Sequence, residues 1–266
     1  MSIYYEPPEY HTETAEEAWY HRWLPGNTPQ FLIPVFMRTI LWSRHRAMKG
    51  IFTEEDMVIA SHRTAKYIEK AGGSLNITGI DTVVDNSGPF VFCGNHMSTL
   101  ETFLLPGIIT PYIPCSFVVK DALLKNRLFG PIMRALQPIA VGREDPRKDL
   151  KAVLQEGTEH IQKNGRSVFI FPQTTRMTTF NPEQFNSLGV KLASRAGVPV
   201  IPVALKTDFW TPGKVLKDVG SVHPEKDVRI SFGEPRPCDN NVREIQNQVV
   251  EFVQSHLQQW GVKIET

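Results

Sequence analysis

Apolar positions along this 266-residue chain follow two rhythms, and the change between them comes near residue 74. Residues 1–26 are irregular and mostly polar. Thr28 followed by Pro29 then marks a helix start, a hydroxyl cap followed by proline where no amide donor is required. Gly50 marks its end, and Pro34 should kink or delay it. A second helix is predicted over 53–70, stopping near Gly72 and Gly73. Beyond residue 74, short apolar runs alternate with longer amphipathic ones. Strands are predicted at 75–80, 90–93, 116–119, 138–141, 167–171, 198–205 and 228–232. Between them, the clearest helix covers 146–164, with Asp145 as cap, Pro146 in first position and Gly165 just past its end. Others are predicted over 185–195, stopping at Gly197, and over 240–260.

Short apolar strands separated by helices of this length predict an α/β fold with a mostly parallel central sheet covered on both faces. The pattern divides the chain into an N-terminal two-helix unit, 1–73, and an α/β domain, 74–266. Pro199 and Pro202 restrict their strand to an edge or a bulge. In the last helix, Val242, Ile245, Val249, Val253, Leu257 and Trp260 recur at helical spacing and predict a face packed on the sheet.

Composition adds exclusions. With 29 Lys+Arg against 28 Asp+Glu, the chain lacks the basic footprint of a broad nucleic-acid-binding face, so no nucleic-acid partner is expected. No window reaches the roughly 18–20 apolar residues of a membrane-spanning helix. The acidic, polar first residues do not suit a secretory signal. Cys93, Cys115 and Cys238 are widely spaced, which predicts a reducing compartment and no structural zinc. The neutral total hides an asymmetry: Arg38, Arg44, Arg46 and Lys49 lie in a stretch without a single acid.

In parallel sheets, chemistry gathers beyond the carboxyl ends of strands, and four blocks stand there. The first is FVFCGNHMSTLET, with His96 and Glu101 five residues apart across a strand-to-helix turn. A histidine whose tautomer is fixed by a carboxylate can serve as a general base. The same pattern also suits a loop histidine with Glu101 in solvent, while Ser98 could cap the helix. No glycine elbow surrounds Ser98, which disfavours a nucleophile, and no further ligands join His96 and Glu101 to make a metal site. The second block, Gly142-Arg143-Glu144-Asp145, places an arginine beside a helix start, chemistry suited to a phosphate or to a surface ion pair. The third is Phe171-Pro172-Gln173-Thr174-Thr175-Arg176. The fourth is Val198-Pro199-Val200-Ile201-Pro202-Val203, which reads as structural, a wall of an apolar groove.

Taken in order, these blocks resemble the glycerolipid acyltransferase family of the lysophosphatidic acid acyltransferase type, over roughly residues 75–235. That family carries Asn-His-x-Ser-x-x-Asp, a Gly/Asp-Arg strand end, Phe-Pro-Glu-Gly-Thr-Arg and Val-Pro-x-x-Pro-Val. The stretch Phe117-Val118-Val119-Lys120 and the late Ser231-Phe232-Gly233-Glu234-Pro235 are similar to its linking segments. The resemblance implies a membrane-associated O-acyltransferase working without a covalent acyl-enzyme. His96 would be the base and Glu101 its orienting partner, with Asn95, Ser98, Pro172 and Pro202 shaping the motifs. Arg143, Arg176, Gln173, Thr174 and Thr175 would bind an acceptor phosphate, and Lys120 would face the oxyanion. No bound cofactor or metal is implied. The acyl group would come from an acyl-CoA or acyl carrier protein thioester and pass to a lysophospholipid-like acceptor, most simply lysophosphatidic acid.

Two departures matter. Glu101 replaces the usual Asp, and its longer arm still reaches an imidazole. Gln173 and Thr174 replace Glu and Gly, exchanging a charge for a donor and removing an easy positive-φ turn. These keep open a different acceptor, such as a lyso-aminolipid, and a non-catalytic lipid-binding relative. The amphiphilic substrates give the basic N-terminal helix a use. Phe31, Leu32, Phe36, Arg38, Leu41, Trp42, Arg44 and Arg46 are expected to contact an anionic membrane surface. The alternative is a helix docked on the α/β domain. The expected location is the cytoplasmic face of a membrane, peripheral or monotopic.

Overall fold

The computed structural model describes residues 5–12, 32–173, 175–211, 220–238 and 241–265. Thr28, Pro29, Phe31, Thr174 and the side chain of Leu32 lie outside that set.

Eight strands form one mixed sheet: β1 (Glu9–His11), β2 (Leu75–Thr78), β3 (Val91–Gly94), β4 (Cys115–Lys120), β5 (Ile139–Val141), β6 (Ser167–Ile170), β7 (Val200–Lys206) and β8 (Val228–Phe232). Their spatial order is β1-β2-β8-β7-β3-β6-β4-β5. The five strands from β7 to β5 run parallel, so their carboxyl ends share one edge. β8 is antiparallel to β7 and parallel to β2, and β1 closes the far side antiparallel to β2. All seven predicted strands are present. β1 is the addition, in a stretch read as irregular: three residues beside two prolines are too short for an alternating pattern, and pairing with β2 alone defines them.

The period of two in the strands feeds two cores. In β3, Phe92 points to one face and Val91 and Cys93 to the other. In β6, Phe169 opposes Val168 and Ile170 in the same way. The first face is covered by α2 (Glu54–Lys70), the short α3 (Ile80–Val84) and α4 (Leu100–Ile109). The second is covered by α7 (Pro146–Gln162), α8 (Leu188–Ala196) and α9 (Val242–Gln259), whose Val249, Val253 and Leu257 are fully buried as the stripe predicted. Each such side chain contributes about 1.5–3 kcal/mol by leaving water, so sequences apolar on both faces become central strands. Local signals set the helix ends. Thr53 and Asp56 form a reciprocal capping box at α2, Asp145 caps α7, and left-handed Gly197 stops α8. α8 begins at Leu188, later than expected, because a 3-10 turn over Pro182–Gln184 precedes it.

The strand with two prolines is not an edge. β7 lies between β3 and β8. Its ladder to β8 instead gains one residue across Pro202. Val203 pairs with Phe232, whereas Val200 bridges Arg236, three residues back on one strand and four on along the other. Proline is tolerated there because the interruption asks no amide of it, while its carbonyl still accepts from Gly233 N at 2.9 Å.

α1 (Leu32–Met48) packs on α2 and on α6 (Gly130–Ala135), crossing the expected boundary at residue 73. Ile40 is buried with Phe52, Met57 and Ile132. Phe36, expected at a lipid surface, stacks edge-on against Phe103 and Trp210, with centroids 4.7 and 4.9 Å away. Arg46 pairs with Asp56 at 2.8 Å, Arg44 donates to the carbonyl of Arg127 at 3.0 Å, and Arg63 covers the ring of Trp42 at 4.3 Å. These residues face protein because α2 and α6 occupy that side of α1. Arg38 and Leu41 remain exposed. Among the described residues, no helix is long and apolar enough to cross a membrane.

Candidate active site

The turn from β3 into α4 carries Asn95, His96 and Ser98. Neighbouring strands fix each of them. Asn95 is buried and continues the sheet beyond its last backbone pair: its amide donates to the carbonyl of Leu205 at 2.7 Å and its oxygen accepts from Leu205 N at 2.8 Å. The His96 backbone is held by the loop after β6. Its N–H donates to Gln173 Oε1 at 2.8 Å, and its carbonyl accepts from Met177 N at 2.9 Å. Ser98 Oγ accepts from Leu100 N at 3.0 Å, capping the first turn of α4.

Glu101 sits in that first turn with no solvent exposure. An isolated buried carboxylate would be prohibitively costly, and here it is surrounded by donors. Oε1 accepts from His96 Nδ1 at 2.8 Å and Met97 N at 2.7 Å. Oε2 accepts from Ser98 N at 3.0 Å and from the Thr207 hydroxyl, with Ser98 Oγ at 3.1 Å. Burial pushes the Glu101 pKa up, but the hydrogen bond and charge of His96, followed by the bonds from Thr207 and Ser98, outweigh it and hold the carboxyl below its ordinary range. The carboxylate can only accept, so His96 Nδ1 carries the proton and Nε2 presents a lone pair. No hydrogen bond to Nε2 forms among the described residues. The Phe171 ring stacks on the imidazole at 4.2 Å, leaving the His96 side chain 12% exposed. The solvated-glutamate reading of the sequence is thereby replaced by an oriented, buried pair.

Two arginines follow the parallel strands β5 and β6 at the same edge of the sheet. Arg143 follows β5 with φ of 64°, left-handed backbone that costs a non-glycine residue about 1–3 kcal/mol. Asp149, one turn into α7, holds the strained turn, accepting from Gly142 N at 2.9 Å and Arg143 N at 2.8 Å. Arg176, after β6, donates to the hydroxyl of Thr99 at the start of α4. Desolvation and then the like charge of Arg176 lower the Arg143 pKa, with Asp149 opposing. Two guanidinium groups close enough for one charge to lower the pKa of the other suit an anion carrying more than one charge.

The matching family model, described as "Acyltransferase", covers residues 74–206, half of the chain. The chain belongs to the acyltransferase family. It is 34% identical over 153 residues to the 1-acyl-sn-glycerol-3-phosphate acyltransferase of Pseudomonas aeruginosa, 57% of each chain. It is 29% identical over 119 residues to the protein of that name in Saccharomyces cerevisiae, 44% of this chain and 38% of the other. The chain thus spans about half the length of the curated relatives it matches. The fold is similar to the crystal structure of the acyltransferase PlsC from Thermotoga maritima, with a TM-score of 0.61 and 16% identity over 90% of this chain and 100% of that one.

Within this acyltransferase fold, five parallel strands each bring a candidate residue to one edge: His96 after β3, Lys120 closing β4, Arg143 after β5, Gln173 and Arg176 after β6, and Thr207 after β7. Lys120 is exposed beside Val141 of β5, and Thr175 is exposed. Pro172 is buried, its carbonyl accepting from the Asn186 amide. Gln173 is 2% exposed. Its oxygen serves the His96 backbone, and its buried Nε2 has no hydrogen-bond partner among the described residues. Thr207 and Asp149 were missed by sequence reasoning, and Phe171 and Thr99 stood in the quoted blocks without a role. Asp149 had a faint signal, a carboxylate in the first turn of a helix that starts just after Arg143. Thr207 had none.

Proposed function

We propose that this chain moves an acyl group from an acyl thioester to the hydroxyl of a lysophospholipid-like acceptor. 1-Acylglycerol 3-phosphate is the acceptor favoured by the names of its relatives. The reading is carried by His96, whose Nδ1 is committed to a buried carboxylate while Nε2 has no hydrogen bond among the described residues. In the reaction, Nε2 takes the proton of the acceptor hydroxyl as its oxygen attacks the thioester carbonyl. Glu101 balances the imidazolium charge. The tetrahedral oxyanion, for which Lys120 is the proposed donor, collapses and expels the thiolate, which takes the proton back from His96. Arg143 and Arg176 hold the acceptor phosphate, making the attack effectively intramolecular. The thioester is either acyl-CoA or acyl carrier protein, and nothing else need be bound.

Gln173 favours a second acceptor class. It removes a negative charge that the family pattern carries beside the His96 backbone, which suits an acceptor other than 1-acylglycerol 3-phosphate, a lyso-aminolipid among them. Membrane association is supported by the exposed Leu41 and Met48, seven residues apart on one face of α1, with Ile51 and basic Arg38 and Lys49 beside them. The reading predicts a peripheral enzyme at a cytoplasmic membrane face.

The test is thiol release from acyl-CoA over a panel of lyso-acceptors presented in anionic vesicles. Release should depend on acceptor, be greatest with lysophosphatidic acid, and disappear in His96→Ala. Equal release by wild type and His96→Ala sinks the enzyme reading. A preference for phosphate-free acceptors would transfer the argument to the second class and remove the phosphate role from Arg143 and Arg176.

A further inference from the structure

We propose that Thr207 is a positioning residue for the His96–Glu101 pair, a role that rests on the base function given to His96 above. Thr207 is fully buried, and its hydroxyl donates to Glu101 Oε2. Every other donor to this carboxylate among the described residues, from His96, Met97 and Ser98, belongs to the same β3–α4 turn as His96 itself. Thr207 is the contact that comes from another strand.

The Thr207 proton can be assigned. Glu101 only accepts, so the Thr207 proton must point at Oε2. Ser98 Oγ lies 2.9 Å from Thr207 Oγ1 and 3.1 Å from Glu101 Oε2, so its single proton is shared between them. Ser98, Thr207 and Glu101 thus form a closed triangle in which both hydroxyls converge on Oε2. The triangle fixes Oε2 and leaves Oε1 turned to the imidazole. Without it, the carboxylate can rotate, and burial pushes its pKa back up.

Thr207 is itself over-determined. Its N–H meets Met97 Sδ at 3.3 Å, and its carbonyl accepts from Trp210 N at 3.2 Å. Lys206, just before it, is clamped by Asp227 Oδ1 at 2.9 Å, the Asp227 carbonyl at 3.1 Å and Asp208 Oδ1 at 3.2 Å. This ion cluster sets the end of β7, so the strand after Pro202 reaches the catalytic pair through one hydroxyl. The fourth sequence block is then part of the catalytic support as well as a wall.

The experiment compares Thr207→Val, Thr207→Ser and Thr207→Cys in the full chain, each checked for folding by its melting temperature. Thr207→Val should lower kcat about 10- to 100-fold, the size of effect seen when a support of a reactive group is removed. KM should stay within about twofold. The acid side of the kcat/KM profile should move to higher pH, because Glu101 loses a bond that holds its pKa down. Thr207→Ser should restore both to within about threefold, since it keeps the donor. The low-field proton resonance of the His96 Nδ1–H, identified by its absence in His96→Ala, should shift in Thr207→Val and return in Thr207→Ser.

Wild-type kcat and pH profile in Thr207→Val overturn the proposal. So does a loss that Thr207→Ser shares and that leaves profile and resonance unmoved, since that is scaffolding alone. If Thr207→Val does not fold, Thr207→Cys, with its weaker S–H donor, must show the acid-side shift, and a wild-type profile from it is fatal. If no acceptor is acylated even by wild type, the functional reading fails separately, and the resonance alone decides: movement in Thr207→Val upholds the coupling, and constancy refutes it.

Discussion

The two halves of the site are built on opposite electrostatic plans. At the His96 end, a carboxylate with no solvent exposure receives donors from the imidazole, two backbone amides and Thr207. At the other end, Arg143 and Arg176 lie close enough for one charge to lower the pKa of the other, and a left-handed turn is held in place only because Asp149 binds its amides. The first half is complete without a ligand, so its geometry is set before substrate arrives. The second brings two like charges together, chemistry suited to a phosphate. Preorganised chemistry and a like-charged binding pair are the division of labour expected when positioning is separated from proton transfer.

Breaking the complete half should have the largest effect. Glu101→Gln has to turn an amide donor toward a site where every neighbour also donates, so kcat should fall about 10²- to 10⁴-fold, measured under saturating substrates. The same change tests the linkage. Glu101 has a folded pKa below its unfolded value, so its ionised form adds stability that is full above the ordinary carboxylate range and is lost as pH falls through that range toward the folded value. Melting temperature against pH should therefore drop less steeply between neutral and acid pH in Glu101→Gln than in wild type, and parallel curves would count against the buried ionised pair.

The charged half should respond in KM. Arg143→Ala or Arg176→Ala should raise KM for a phosphate-bearing acceptor by about 10- to 100-fold with a smaller change in kcat, and added salt should raise the wild-type KM in the same direction. A kcat effect without a KM effect would mean the arginines serve the chemistry instead. The smallest effect belongs to Asp149→Asn, which keeps one acceptor for two amides. It should raise KM by only a few-fold, roughly the cost of one weakened hydrogen bond at a strained turn, and steady-state kinetics with Arg143 intact would show it.

Much of this was legible in the chain, for identifiable reasons. The strands came through because a buried parallel strand is apolar on both faces, as in Val91-Phe92-Cys93. The ends of α2 and α7 came through because Thr53, Asp145 and Pro146 act on backbone groups a few residues away. His96, Glu101, Arg143 and Arg176 sit in local blocks at strand ends, so their candidacy needed no long-range information. β1 was invisible because it exists only by pairing with β2. The proline strand was read as an edge or a bulge, and pairing with residues about 30 positions further along the chain decides for the bulge. Phe36 and Arg46 looked like membrane contacts because amphipathicity shows that a helix face is apolar or basic, and does not show what covers it.

The sequence by itself determined an α/β chain, its strand–helix order, the residue types at four strand ends and the resemblance to acyltransferases, since all of these rest on periodicity, capping and short spacings. The tertiary structure decided which of those residues meet. Only the parallel alignment of β3, β6 and β7 sets Gln173 against the His96 backbone and Thr207 against Glu101, contacts spanning 77 and 106 residues of chain. Their physical basis is burial: a carboxylate taken out of water must find its donors wherever the fold supplies them, and no local rule says from which strand they will come.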